Sequence, residues 1–494
     1  MFFIAGAKAY FMIAGAAITF ALPAVLDASV FGAYLVVAGA ASLVNNVMVT
    51  GTIQAVSRFT AQARDRARAI QLAGFRMHLC VGLPIAVAFA LLAPAAAAFF
   101  QDASKAGPLR LAAPIVGGYA FYAVFVGTAN GLRAFHKQAG LDVIMATLRA
   151  AGIVGLAAAG FGLVGAIAGW IAATGAILVI ASAVVGFPRG VDQPFPVRPL
   201  AVFFGSVAVY LVLLNLIMLQ DTFLLKRFMG VSLRDAGLTA DGAAAAADAL
   251  VGYYGGAQAI ARLSYQAIIA ATFVIFPLIS RATFERERDT TIRYIRATTR
   301  YSLMFAGAMA VVLVANPYEV MDLPFRAEYA DNAHGALVAL ALGYVAFSLF
   351  AIAGTILNGA GLTRAAIGSA AVTVVAAVAG NALALPRVAP GPDALVACAA
   401  ITAAAMALGV AVAGVAMYRA LGAFIPPSTL ARVALAMAAG AGVGRAVSLA
   451  SPVGTLIEAA LVAAVYLAVL VASRELSRAD VRAVLALRRG GDGA

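Results

Sequence analysis

A chain of 494 residues, 64% hydrophobic and 11% charged, leaves no stretch polar enough for a separate soluble domain and describes a polytopic membrane protein. The net charge of +13 invites a nucleic-acid reading, but the arginines recur in short segments between apolar runs instead of gathering on one module, so no nucleic-acid partner is expected. Two cysteines, Cys80 and Cys398, both within apolar runs, and three histidines argue against a disulfide framework and a metal centre, and no cofactor is expected.

In chain order, runs long enough to cross a bilayer lie near 7–27, 33–54, 76–100, 109–132, 141–160 and 162–186. A second group lies near 200–225, 252–280, 298–316, 335–359, 363–385 and 394–417, and a last pair near 428–449 and 453–473. The expected fold is therefore all-α, with about fourteen transmembrane helices. The first run resembles a signal peptide, with Lys8 ahead of it and Leu22-Pro23-Ala24 near its end. An uncleaved span is the better reading, because its removal would put the following charge pattern out of phase.

That pattern sets the topology. With both termini cytoplasmic, about twenty-four lysines and arginines fall on the inner side, including Arg64, Arg66, Arg68, Arg133, Arg189 and Arg296, against eight on the outer side, such as Lys105, Lys226 and Arg326. The long basic connections from Arg58 to Gly74 and from Arg281 to Arg300 read equally as interfacial helices facing anionic lipid headgroups and as plain topology signals. Gly230 to Leu250 reads as the longest outer connection, and its alanine run Ala243 to Ala247 argues against a catalytic domain there.

One span carries a charge at depth. Arg262 lies ten residues, roughly 15 Å of helix, past Gly252 and so well inside a hydrocarbon core of about 30 Å. Tyr254, Gln258, Arg262 and Gln266 follow at i+4 and form one polar stripe, expected to face a wet cavity. An intramembrane arginine costs at least about 2.5 kcal/mol to insert, and such residues mark substrate paths more often than they serve as structural anchors.

The two groups of six spans look like copies. Phe31-Gly32-Ala33-Tyr34 leading into Ala55-Val56-Ser57-Arg58 parallels Val251-Gly252-Tyr253-Tyr254 leading into Leu278-Ile279-Ser280-Arg281. Gly127 to Gly131 parallels Gly354 to Gly359. Equal orientation makes them parallel repeats with the substrate path at their interface: a first lobe 1–188, a second lobe 189–420, and a helix pair with a basic cytoplasmic tail at 421–494.

Lys8-Ala9-Tyr10, Leu22-Pro23, Gln54-Ala55-Val56-Ser57-Arg58-Phe59, Asn130-Gly131-Leu132-Arg133-Ala134-Phe135, Asp221-Thr222-Phe223-Leu224 and Phe276-Pro277-Leu278-Ile279-Ser280, in this order, resemble the polysaccharide-transporter family of lipid-linked oligosaccharide flippases. The resemblance runs from about residue 8 to 300 and thins to Asn358-Gly359 beyond. It implies the multidrug/oligosaccharidyl-lipid/polysaccharide superfamily: two six-helix lobes around a central cavity, working by alternating access in the bacterial cytoplasmic membrane. In the lipid II flippases of that superfamily the cavity carries cations on the first, second and eighth spans. Arg58 and Arg262 are similar in position to two of these; the first span here has no matching arginine. Arg149, about 12 Å into the fifth span, either supplies the third charge or is tied to Asp142 seven residues earlier.

The chemistry asks for such charges independently, since a diphosphate crossing the membrane needs a replacement for its hydration shell and arginine's fork suits phosphate oxygens. The expected substrate-binding residues are Arg58, Arg149, Arg262, Gln258, Gln266, Asn130 and Asn358, the amides addressing sugar hydroxyls or bonding helix to helix. Asp221 is the candidate for ion coupling, with a fixed pairing to Lys226 or another basic neighbour near the outer rim, as a helix anchor, for its rival role.

The expected function is translocation of a polyprenyl-diphosphate-linked oligosaccharide for surface or extracellular polysaccharide assembly. That lipid-linked sugar and membrane lipids are the expected partners, and polysaccharide-assembly proteins are candidates. The alternative is a cation-coupled small-molecule antiporter of the same superfamily, which would prefer acidic and aromatic walls. A polysaccharide polymerase or ligase would want acid and base residues on a large outer loop, so an enzyme is not expected.

Overall fold

The computed structural model describes residues 2–191, 193–284, 288–447, 449 and 451–476, with side chains over 6–191, 193–265, 289–447, 449 and 451–476. The helices are α1 Phe2–Val25, α2 Ala28–Gln62, α3 Ala67–Cys80, α4 Gly82–Leu91, α5 Ala93–Phe99, α6 Ala106–Gly131, α7 Phe135–Leu156, α8 Gly162–Val185 and α9 Val197–Asp235. They continue as α10 Ala240–Phe284, α11 Arg288–Ala315, α12 Pro317–Asp322, α13 Ala327–Gly359, α14 Thr363–Ala384, α15 Pro392–Leu421, α16 Pro427–Ala446 and α17 Pro452–Ala472. There is no strand among the described residues. The fold is that of an all-α, multi-pass membrane protein.

Every apolar run read from the sequence falls on helix. Eleven helical segments among the described residues are long and apolar enough to cross a membrane, and one of them, Phe135–Val185, holds two of the expected spans. Those two turn back on each other at Gly160 and Gly162, whose φ of 92° and 54° lie where a side chain would be strained. The span expected over 76–100 is broken into α3, α4 and α5. Pro84 and Pro94 account for the breaks, since each ring crowds the carbonyl four residues back and offers no N–H.

Two connections differ from the sequence reading. The basic stretch 58–74 does not form one interfacial helix: its start is the last turn of α2, and its end is the first turns of α3, where Ala67, Ile70, Gln71 and Ala73 are buried. In the second basic stretch the side chains of Arg281, Arg286 and Arg288, like that of Ser280 before it, lie outside the described ones, whereas Arg293, Arg296 and Arg300 stand on α11. Gly230 to Leu250 is a helical hairpin, with only residues 236–239 between α9 and α10. The alanine run is a strong helix former and extends α10 outward as helix.

Packing sorts the chain into two compact units, Met1–Ala259 with Ala370–Ala405 and Ile260–Ser369 with Met406–Ala494. In the first, α2 is the central helix, packed on α6 and α9 with Phe31, Val36, Val37 and Ala55 fully buried. Without a hydrophobic drive between helices in lipid, close approach at small residues supplies the attraction. A Cβ on Gly169 would stand 2.0 Å from the Gly152 carbonyl oxygen, so α7 and α8 meet backbone to backbone. The crossing of α2 and α10 is reciprocal: a Cβ on Gly32 would meet the Asp248 carbonyl at 1.8 Å, and one on Gly252 the Ala28 carbonyl at 2.2 Å. Each glycine faces the carbonyl four residues before the other.

In the second unit α11 packs on α13, α16 and α17. The Tyr466 hydroxyl donates to the Met304 carbonyl at 2.7 Å, and Glu475, just past α17, fastens the pair α16–α17 to α11. Glu475 accepts from Arg300 Nε, Thr429 Oγ1 and Arg432 Nη1, each at 2.8 Å. Burial pushes its carboxyl up, but the hydrogen bonds from Arg432, Thr429 and Arg300 and the charge of Arg300 outweigh it and hold the group below its ordinary range. A carboxyl lowered in the folded state contributes stability above its ordinary value, about 4.3 for glutamate, and loses it as pH falls through the lowered one. Acidification from neutral pH is therefore expected to loosen α17 first, with hydrogen exchange rising in residues 452–472. In Glu475→Gln the exchange should already be high at neutral pH and nearly independent of pH.

Candidate functional site

Asp221 sits on α9 with 1% of its surface exposed. Two neutral donors from α10 converge on its Oδ2, the Tyr254 hydroxyl at 2.8 Å and Gln258 Nε2 at 2.7 Å. The Thr222 amide donates to its Oδ1 at 2.8 Å, and the Cys398 thiol lies 3.8 Å from its backbone carbonyl. Next to it, Gln220 Nε2 donates to Thr402 Oγ1 at 3.3 Å, and Asn381 Nδ2 donates to Gln220 Oε1 at 3.2 Å and to Thr402 at 3.3 Å. This joins α9, α14 and α15 through buried polar groups. Asn381 Oδ1 is buried with no hydrogen-bond partner.

The pairing of Asp221 with Lys226 weighed from the sequence is replaced by other partners for the lysine. Five residues along a helix of about 3.6 per turn, Lys226 faces elsewhere, and its Nζ lies 3.0 Å from Asp102 Oδ2 and 2.8 Å from Asp248 Oδ1. Lys105 completes a tetrad, 2.7 Å from Asp102 Oδ2 and 2.6 Å from Asp248 Oδ2. Burial raises the Asp102 carboxyl, but hydrogen bonds from Lys105 and Ser104 and the charges of Lys226 and Lys105 carry it well below the carboxylate range. The tetrad was not legible as a set, because Asp102 and Lys105 lie far along the chain from Lys226 and Asp248.

The stripe on α10 divides. Tyr254 and Gln258 turn to Asp221, whereas Arg262, half-buried, donates from Nε to the Tyr344 hydroxyl of α13 at 2.7 Å. The side chain of Gln266 lies outside the described residues. Arg58, at the exposed end of α2, stacks over the Phe203 ring at 4.5 Å. Arg149, half-buried on α7, stands over Phe11 at 4.9 Å and Trp170 at 5.9 Å, with its Nε buried and without a hydrogen-bond partner. The carboxylate of Asp142 is taken by Lys8 of α1, 2.9 Å away. The first span thus supplies the cation that pairs with Asp142, the lone Lys8 in an apolar run. Asn130 donates to Gln138 Oε1 at 2.8 Å, and Asn358 is half-buried near the end of α13. Asn46 bonds Asn215 of α9 at 2.9 Å, a helix-to-helix contact.

Chemically, the arrangement supplies a half-buried guanidinium on α7, another on α10, and a buried carboxylate on α9 that accepts from Tyr254 and Gln258. Among the described residues no group of histidine, cysteine and carboxylate side chains is disposed to hold a metal ion.

No family model matches the chain, and no curated protein matches it. Solved structures do. The lipid II flippase MurJ in an inward-closed conformation aligns over 96% of this chain and 99% of its own, with a TM-score of 0.75 at 12% identity. A multidrug resistance MATE family transporter of the MOP superfamily, inward-facing, aligns over 84% of this chain and 95% of its own, TM-score 0.60 at 17% identity. A MOP superfamily transporter from Pyrococcus furiosus, described as having a binding pocket of reversed polarity, aligns over 85% of this chain and 95% of its own, TM-score 0.58 at 15% identity. The chain has the fold that MurJ and the MATE transporters share.

Proposed function

We propose that the protein is a flippase that carries a polyprenyl-diphosphate-linked oligosaccharide from the cytoplasmic to the outer leaflet of the bacterial cytoplasmic membrane, for surface or extracellular polysaccharide assembly. The observation that carries this reading is the half-buried guanidinium of Arg262 on α10, which donates from Nε to the Tyr344 hydroxyl. A guanidinium stays charged at any working pH, and its planar fork matches the oxygens of a phosphate. Arg149, stacked on aromatic rings, offers a second such group. Fourteen crossings, both termini cytoplasmic, and two repeats at 1–188 and 189–420 moving against each other complete the reading. The helix pair within 421–494 is an addition that the alignment with the lipid II flippase accommodates, since it covers 96% of this chain. The reciprocal contact of Gly32 and Gly252, placed alike in the two repeats, supports an axis relating them.

The second reading, a cation-coupled antiporter of small molecules, draws on one observation, the buried Asp221 with its neutral donors. Deleting the gene separates the two. The flippase reading expects one polyprenyl-linked saccharide to accumulate on the cytoplasmic side and external polysaccharide to disappear; unchanged lipid-linked pools with heightened sensitivity to organic cations would favour the antiporter.

A further inference from the structure

We propose that Asp102, Lys105, Lys226 and Asp248 form a latch that closes the outer face of the transporter and must open in each cycle. The inference rests on the reading above, in which the repeats 1–188 and 189–420 move relative to each other. Asp102 and Lys105 belong to the turn between α5 and α6 in the first repeat, and Lys226 and Asp248 to α9 and α10 in the second. All four contacts between the two signs fall between 2.6 and 3.0 Å, and the side chains are 0–6% exposed.

The seam extends to either side of the tetrad. Arg227 Nη1 donates to the Phe99 carbonyl at 2.8 Å, and Arg234 Nη1 donates to Gln101 Oε1 at 3.0 Å. The backbone carbonyl of Asp248 is the one that Gly32 of α2 packs against, so the latch stands at the reciprocal crossing of α2 and α10. Charge-neutral and dry when closed, the tetrad is a poor device for stability alone: desolvating two ammonium and two carboxylate groups offsets most of their attraction, and apolar packing would serve as well. It suits a two-state contact. On opening, water replaces each lost ion pair with hydration, so the closed and open arrangements differ by little free energy. A permanent clamp is the competing role.

The test uses the full-length protein in vesicles with Cys80 replaced by alanine. Met229, fully buried one turn from Lys226 on α9, becomes the reporter as Met229→Cys, labelled by a membrane-impermeant maleimide from the outer side. The charge-balanced double variant Asp102→Asn/Lys226→Gln should raise the labelling rate at least about tenfold, a bias of about 1.4 kcal/mol; an unchanged rate overturns the latch. This readout needs no substrate, so it stands whether or not the flippase reading does.

A second arm locks the seam. A Cβ on Gly230 would lie 3.7 Å from Gln101 Cβ across the two repeats and 4.0 Å from Ala247 Cβ within the second repeat, both close to the spacing a disulfide needs, about 3.8 Å. Oxidised Gln101→Cys/Gly230→Cys should stop transport and recover with reductant, while oxidised Gly230→Cys/Ala247→Cys keeps transporting. Equal transport by the fully oxidised first pair and its reduced form would show a permanent clamp and leave the transporter reading intact.

Discussion

Arg262→Ala is expected to abolish export of the lipid-linked saccharide, by a factor of at least about a hundred, while the protein still inserts and accumulates at the parent level. The loss corresponds to roughly 2.7 kcal/mol, within the range of a charge-assisted pair removed from a low-dielectric site. Arg262→Lys should recover only part of it, because a lysine restores the charge without the planar fork. Tyr344→Phe separates positioning from charge. It removes the hydroxyl that receives Nε at 2.7 Å and leaves the guanidinium in place, so a partial loss between parent and alanine variant is expected. The measurement is export of labelled saccharide normalised to membrane-inserted protein. Normal export by Arg262→Ala would remove Arg262 from the substrate path.

Asp221→Asn is expected to uncouple transport from an imposed ion gradient. A carboxylate in so dry a place stays charged only while a cation or donors stabilise it, and here Tyr254 and Gln258 donate to one of its oxygens. Lys226 is engaged by Asp102 and Asp248, and the coupling reading gives Asp221 a reversible bond to a proton or another cation. A site that binds in one arrangement of the lobes and releases in the other is what coupling needs. Asparagine keeps the size and one acceptor but cannot exchange a charge. In vesicles with an imposed pH or sodium gradient, the variant should bind substrate like the parent and lose the gradient-driven acceleration, a drop of tenfold or more. A response equal to the parent's would make Asp221 structural.

How much of this was legible beforehand follows from the range of each interaction. Spanning helices declare themselves over about twenty consecutive residues, so the all-α, multi-pass character was legible, and the prolines that break the third run at Val81 and Leu92 stand in the sequence for anyone to weigh. The glycines of Phe31-Gly32 and Val251-Gly252 were visible as a repeat; their mutual contact became visible only with α2 and α10 crossed. Ala243 to Ala247 was misjudged because low complexity was taken for loop, when alanine is the best helix former. Side-chain partners were the least legible. Nothing in sequence spacing tells that Lys8 takes Asp142, that Tyr344 receives Arg262 82 residues away, or that Asp102 meets Lys226 across 124 residues.

The central claim is tested most directly with the purified protein in vesicles loaded with a labelled polyprenyl-diphosphate oligosaccharide in one leaflet, the opposite leaflet being scored by an impermeant sugar-modifying reagent. The account predicts that the parent protein moves the label across within the assay and that Arg262→Ala does not. Gradient-driven transport of an organic cation, with the lipid-linked saccharide left in its original leaflet, would contradict it.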